Sequence, residues 1–156
     1  MSDSANDPEQ DLTSTLHLSA IRALPNLLDL EILFASLTRE EFEIISALPN
    51  NSSMLLSVAG PNKGARFLVN SAITRIGRDP KCEIFLDDVT VSRSHAKIIA
   101  DPHEGYSVGG YSIADEGSLN GTYLNAKLIV NSHLHIGDEL QIGKFRFIYF
   151  TRKEHK

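Results

Sequence analysis

The chain predicts an all-β sandwich of short, mainly antiparallel strands, preceded by a partly helical N-terminal extension. Three observations carry this. Beyond Asn50-Asn51-Ser52-Ser53 the apolar period drops from three or four residues to two. From there on, short runs rich in Val, Ile, Leu, Phe and Tyr recur at close spacing. Gly, Pro, Asn and Asp separate those runs, the turn chemistry of a sandwich rather than the long crossovers of a parallel α/β sheet.

Taken in order, residues 1–15 are polar and acidic, with Ser2, Ser4, Thr13, Ser14 and Thr15 as phosphate acceptors. They hold too little apolar area to offset the entropy of ordering and read as a disordered leader. In the stretch from Leu16 to Leu48, Leu27, Leu30, Phe34 and Leu37 recur at helical spacing, as do Phe42, Ile45 and Leu48. Thr38-Arg39-Glu40-Glu41 has the form of a capping box, which predicts a short helix from about Arg39 to Ala47. Pro25 and Pro49 bound the helical part of the stretch, because proline disfavours helix at the preceding residue. The expected organisation is a leader over 1–15, a partly helical extension over 16–51, the sandwich over 52–152 and a tail over 153–156.

Met54–Val58 and Arg66–Val69 read as a hairpin closed by Gly60-Pro61-Asn62-Lys63-Gly64, with proline setting φ and glycine supplying a left-handed position. Further strands are expected over Ala72–Ile76, Ile84–Leu86, Ala96–Ala100, Tyr111–Ala114, Thr122–Leu124, Leu128–Val130, Glu139–Ile142 and Phe145–Tyr149. In the last of these, Phe145, Phe147 and Tyr149 alternate with Arg146, Ile148 and Phe150, so it is expected to be buried on both sides. The segment 101–110 is longer than a hairpin needs, and nothing in it suggests a use for the excess.

At 156 residues the chain can bury its own core without disulfide or metal staples. Cys82 is the sole cysteine, so no internal disulfide forms, and the start of the chain lacks a signal peptide's basic and apolar regions. Both point to a cytoplasmic protein. The apolar stretch Leu27–Phe34 is too short for a bilayer span and is interrupted by Asp29 and Glu31. Residues 1–50 hold nine acidic and two basic side chains, net −7; the remainder hold eleven and thirteen, net +2. That balance lacks the basic stripe of a nucleic-acid binder. An acidic leader beside a mildly basic module is consistent either with contact between them or with a solubilising tail.

Three polar pieces fall between the expected strands, where loops can converge on one ligand: Gly77-Arg78, Ser92-Arg93-Ser94-His95, and Gly117-Ser118-Leu119-Asn120-Gly121. A phosphothreonine carries a charge of about −1.5 to −2 and three acceptor oxygens, so its receptor must combine cationic and neutral donors. Arg78 and Arg93 supply the former; the Ser92 hydroxyl and the Asn120 amide supply the latter. In this order the pieces resemble the forkhead-associated (FHA) domain, a phosphothreonine-reading module whose pattern is Gly-Arg, Ser-x-x-His, Asn-Gly.

The resemblance implies that Arg78 braces the phosphopeptide, Ser92 and Arg93 donate to the phosphate, and Asn120 grips the peptide main chain. Thr90 and Leu119 fall where family members touch peptide or phosphate. His95 would prop the loops without touching phosphate, and Gly77, Gly117 and Gly121 would serve as close-approach or turn positions. The runs Gly60-Pro61-Asn62, Asp87-Asp88-Val89-Thr90-Val91-Ser92-Arg93, Gly117–Tyr123 and Gln141–Arg146 are also similar to the small actinobacterial FHA regulators of glycogen accumulation and oxoglutarate dehydrogenase. That likeness implies partners among phosphothreonine proteins, a Ser/Thr kinase and 2-oxoglutarate dehydrogenase-type enzymes, with the chain's own phosphorylated N-terminus as a competing ligand. Here the leader reads Thr13-Ser14-Thr15-Leu16-His17-Leu18 instead of that group's tandem threonines, and Thr13 or Thr15 is the expected acceptor.

Rival chemistries are weaker. Ser92, His95 and Asp101 or Asp115 suggest a hydrolase triad, but no Gly-x-Ser-x-Gly elbow surrounds the serine. His133 and His135 would share a strand face, without a third metal ligand. Gly60–Gly64 lacks the ending of a nucleotide loop. No cofactor or metal is expected. A phosphate-independent scaffold is the remaining alternative, and substituting Arg78 would leave its partner binding unchanged.

Overall fold

The computed structural model describes residues 27–49, 52–101 and 110–151. Two sheets face each other in it. Strands β1 (Ser53–Ala59), β2 (Arg66–Val69), β7 (Thr122–Leu124), β8 (Lys127–Ile129), β10 (Glu139–Ile142) and β11 (Phe145–Thr151) form one, in the order β2-β1-β11-β10-β7-β8. Strands β3 (Ile73–Gly77), β4 (Ile84–Phe85), β5 (Ala96–Ala100), β6 (Tyr111–Asp115) and β9 (Asn131–His133) form the other, in the order β9-β6-β5-β3-β4. The pairings are antiparallel except that of β3 with β4. The core between the sheets comes from the period-two positions, including Leu55, Ile76, Ile98, Ile113, Leu140, Phe147 and Tyr149.

A second core lies behind the six-stranded sheet. Helix α1 (Leu27–Ala35) and helix α2 (Arg39–Ser46) pack there, burying Leu33, Ile45 and Leu48 against Met54, Leu56, Ile148 and Phe150. At nine and eight residues these helices are too short to persist alone, so packing holds them. Each fully buried large apolar side chain contributes about 1.5–3 kcal/mol, against roughly 1 kcal/mol for a cap. The capping box sets where α2 starts: Thr38 Oγ1 accepts from the Glu41 N–H at 3.0 Å, and Glu41 Oε1 accepts from the Thr38 N–H at 3.0 Å. The Phe34 ring stands 5.8 Å from that of Phe150, and Arg66 in β2 pairs with Glu40 in α2 at 3.6 Å.

Strand β11 is buried on both sides, as its alternation predicts: Phe145, Phe147 and Tyr149 enter the inter-sheet core while Ile148 and Phe150 meet the helices. Several elements differ from the sequence reading. β9, Asn131-Ser132-His133, carries no apolar signal and pairs with β6 across an otherwise open sheet edge. α1 reaches nine residues where spacing alone marked four positions. The strand expected over Leu128–Val130 runs over Lys127–Ile129, because Asn125 and Ala126, at φ 52° and 70°, turn the chain into a tight hairpin from β7. The leader and segment 102–109 lie outside the described residues. Among the described residues no helix is long and apolar enough to cross a membrane.

Candidate functional site

The loops after β3, before β5 and after β6 meet at one end of the sandwich, and Gly77 is what lets the first two touch. A Cβ there would sit 2.0 Å from the Arg93 carbonyl oxygen and 3.1 Å from Cys82 Sγ. Without one, the Arg78 N–H donates to Ser92 O at 3.0 Å and the Asp79 N–H to Arg93 O at 3.2 Å. The Arg78 side chain then donates from Nε to Val91 O at 2.9 Å. Its two terminal nitrogens have no acceptor among the described residues.

Ser92 connects the second loop to the third. Its hydroxyl oxygen accepts from the Leu119 N–H at 3.0 Å, which leaves its own proton free to donate. The next side chain, Asn120, donates from Nδ2 to Thr90 O at 3.0 Å. His95, fully buried, ties the same loops from beneath: Nδ1 accepts from the Ser92 N–H at 3.0 Å, and Nε2 faces Gly121 O at 2.9 Å. An acceptor at Nδ1 and a carbonyl at Nε2 require a neutral ring with its proton on Nε2. The link between Ser92 and His95 thus runs through a backbone N–H, not through the hydroxyl that a triad would activate.

Arg93 projects outward and pairs with Asp79 at 3.3 Å. The Lys81 backbone N–H is the main cause holding the Asp79 carboxyl below its usual range, with Arg93 adding to it. Thr90 is engaged within the protein: its hydroxyl donates to Asp88 at 2.6 Å and accepts from the Lys144 N–H at 3.1 Å. Those Thr90 bonds, side chain first, hold the Asp88 carboxyl low. Val89, on the loop that carries Ser92, and Leu119, on the loop bonded to it, stand almost fully exposed, at 88% and 89%.

The sequence reading missed the anchor of the third loop. Asp115 accepts from the N–H groups of Gly117 and Ser118 at 2.9 and 3.0 Å and from the Thr122 hydroxyl at 2.7 Å. Burial pushes its carboxyl up, but the Ser118 and Thr122 hydroxyls and the two N–H groups outweigh this and hold it below the usual range. Asp-x-Gly-Ser is an Asx-turn signal that could have found it. Gly117 and Gly121 occupy left-handed positions at φ 79° and 86°. His133 and His135 do not converge: His133 lies 3.3 Å from Asp101 and His135 3.7 Å from Asp138. The described residues contain no cluster of three or more groups that could hold a metal ion. Thr13 and Thr15 lie outside them.

A two-layer sandwich with arginine, serine and asparagine gathered on three loops at one end, braced by a buried histidine, defines an FHA-type module. The FHA domain family model matches residues 74–143. The glycogen accumulation regulator GarA of Mycobacterium tuberculosis is 40% identical over 154 residues, covering 97% of this chain and 91% of that one. The oxoglutarate dehydrogenase inhibitor of Corynebacterium glutamicum is 45% identical over 104 residues, covering 67% of this chain and 68% of that one. Among solved structures, Mycobacterium tuberculosis EmbR in complex with a low-affinity phosphopeptide superposes with a TM-score of 0.56 at 29% identity, over 67% of this chain and 26% of EmbR. The chain belongs to the FHA-domain family of glycogen accumulation regulators and oxoglutarate dehydrogenase inhibitors.

Proposed function

We propose that this protein is a phosphothreonine-peptide-binding regulator without catalytic activity. Arg78 and Ser92 hold the phosphate, with Arg93 adding positive charge. Asn120 grips the peptide main chain, Thr90 fastens that grip, and Leu119 holds the Ser92 hydroxyl through its N–H and offers its exposed side chain. The observation that carries the reading is the Ser92 hydroxyl: it accepts from the Leu119 N–H and keeps its proton for an outside acceptor, on a loop whose Val91 and Thr90 carbonyls hold the Arg78 guanidinium and the Asn120 amide. Free donors held close together at a solvent-facing rim suit an ester dianion.

The regulatory part of the proposal rests on relatives named as regulators and inhibitors. The unphosphorylated protein restrains cytoplasmic 2-oxoglutarate or glutamate enzymes. A Ser/Thr kinase modifies Thr13 or Thr15, and the tethered phosphothreonine then occupies the site. Tethering gives an effective concentration of about a millimolar, enough to saturate a micromolar site.

Matched phosphothreonine, phosphoserine and threonine peptides titrated into wild type and Arg78→Ala test the reading. A lost charge-assisted hydrogen bond costs roughly 1.5–3 kcal/mol, so Arg78→Ala is expected to weaken phosphothreonine binding about tenfold or more. Equal affinity of plain and phosphorylated peptides, or no effect of Arg78→Ala, overturns it in favour of a phosphate-independent scaffold.

A further inference from the structure

The β10–β11 turn reaches the phosphopeptide site from behind. Gly143 has φ 59°, and a Cβ on it would lie 2.3 Å from Thr90 Oγ1, 2.9 Å from Val91 Cγ2 and 3.0 Å from Thr90 O. Only a glycine satisfies both the left-handed backbone and that approach. The following residue completes the contact: the Lys144 N–H donates to Thr90 Oγ1 at 3.1 Å, and Lys144 Nζ lies 3.6 Å from Asp88 Oδ1. Asp88 in turn accepts from both the N–H and the hydroxyl of Thr90, at 2.9 and 2.6 Å. Thr90 is therefore held by its N–H and its hydroxyl, and its one remaining polar group, the carbonyl, faces the Asn120 amide.

We infer that Gly143, Thr90 and Asp88 are positioning residues for Asn120, with the β10–β11 turn setting the orientation of its side-chain amide before any peptide arrives. The Nδ2 bond to Thr90 O is what the described residues offer that amide, and it leaves Oδ1 for a ligand. A swinging amide would have to be ordered on binding, which weakens affinity. The turn joins β10 to β11 and the asparagine lies in the loop between β6 and β7, 54 and 30 residues from Thr90 in sequence, so no local motif links them.

This inference rests on the phosphopeptide reading for its affinity arm but not for its structural one. Thr90→Val keeps the side chain's shape and removes the hydroxyl; Thr90→Ser restores it. In the free protein, Thr90→Val is expected to shift the Asn120 side-chain amide resonances, and Thr90→Ser to return them toward wild type. Phosphothreonine-peptide affinity should fall by about three- to tenfold in Thr90→Val, the range of one neutral hydrogen bond. It should change less than twofold when Thr90→Val is placed on Asn120→Ala, because the effect passes through Asn120. General weakening of the fold would instead give additive losses. Unmoved Asn120 resonances, or additivity in the double mutant, overturns the inference. If wild type binds no phosphopeptide, the parent reading fails and the resonance comparison alone decides this one.

Discussion

Gly77→Ala separates close approach from backbone conformation as the reason for a glycine beside Arg78. Gly77 does not occupy the left-handed region, so alanine meets no φ penalty there; the cost is the collision with the Arg93 carbonyl, 2.0 Å from the new carbon. Relief requires the two strand-end loops to part by about 1 Å, since carbon and oxygen do not approach much below the 3 Å of a tight contact. That movement strains two backbone hydrogen bonds, Arg78 N–H to Ser92 O and Asp79 N–H to Arg93 O. At about 0.5–1.5 kcal/mol each, with a further 1–3 kcal/mol for overpacking, the expected loss is about 2–6 kcal/mol. Gly117→Ala is the control: its φ is 79° but nothing lies within 4 Å of the new carbon, so only the left-handed penalty of about 1–2 kcal/mol applies. Urea denaturation of both variants, with phosphothreonine-peptide titration of the folded fraction, measures this. A Gly77→Ala protein within about 0.5 kcal/mol of wild type, with unchanged affinity, would refute the reasoning.

The pH dependence of binding and of folding should separate. A phosphothreonine takes up its second proton near pH 6, so peptide affinity is expected to fall by up to about tenfold between pH 7 and 5, measurable by calorimetry. Asp115 and Asp88 are held low by the hydrogen bonds that fasten the loops. A carboxyl depressed in the folded state stabilises fully above its unfolded value of about 3.9 and loses that contribution as pH falls through the folded value, so the fold should survive pH 5 and weaken only below about 4. Glu83, held at about 2 by hydrogen bonds from the Arg75 guanidinium and N–H, should rise in Arg75→Ala when followed by NMR but stay below 4.5, because the substitution removes the guanidinium and keeps the backbone N–H; stability at pH 7 should change by less than about 1 kcal/mol because the pair is exposed. Thr38→Ala removes one half of the capping box and should cost about 1 kcal/mol, read by urea denaturation.

The strands were legible because their signal is local. Arg66–Val69, Ala96–Ala100, Thr122–Leu124 and Glu139–Ile142 coincide with the runs that predict them, since alternation and turn residues are written into adjacent positions. β9 escaped notice because its pairing is dictated by the edge of β6, not by Asn131-Ser132-His133 themselves. The three polar pieces could be read because each is a short motif. The contacts that aim them could not: Thr90 with Asn120, Gly143 with Thr90 and Gly77 with Arg93 join residues 30, 53 and 16 apart, and sheet register creates them. In sequence Asp115 reads equally as a hydrolase partner, because a carboxylate spent on its own loop looks there like one held ready for chemistry.

Strand β11 gives three side chains to the core between the sheets and two to the core under the helices. It is a shared wall, and a shared wall cannot be lent out. Dividing this receptor into two complementing fragments at the Gly143–Lys144 corner would leave both rooms open at once, whereas exchanging the exposed loop side chains Val89 and Leu119 touches neither. The receptor can acquire new preferences at its rim without renegotiating how it stands up.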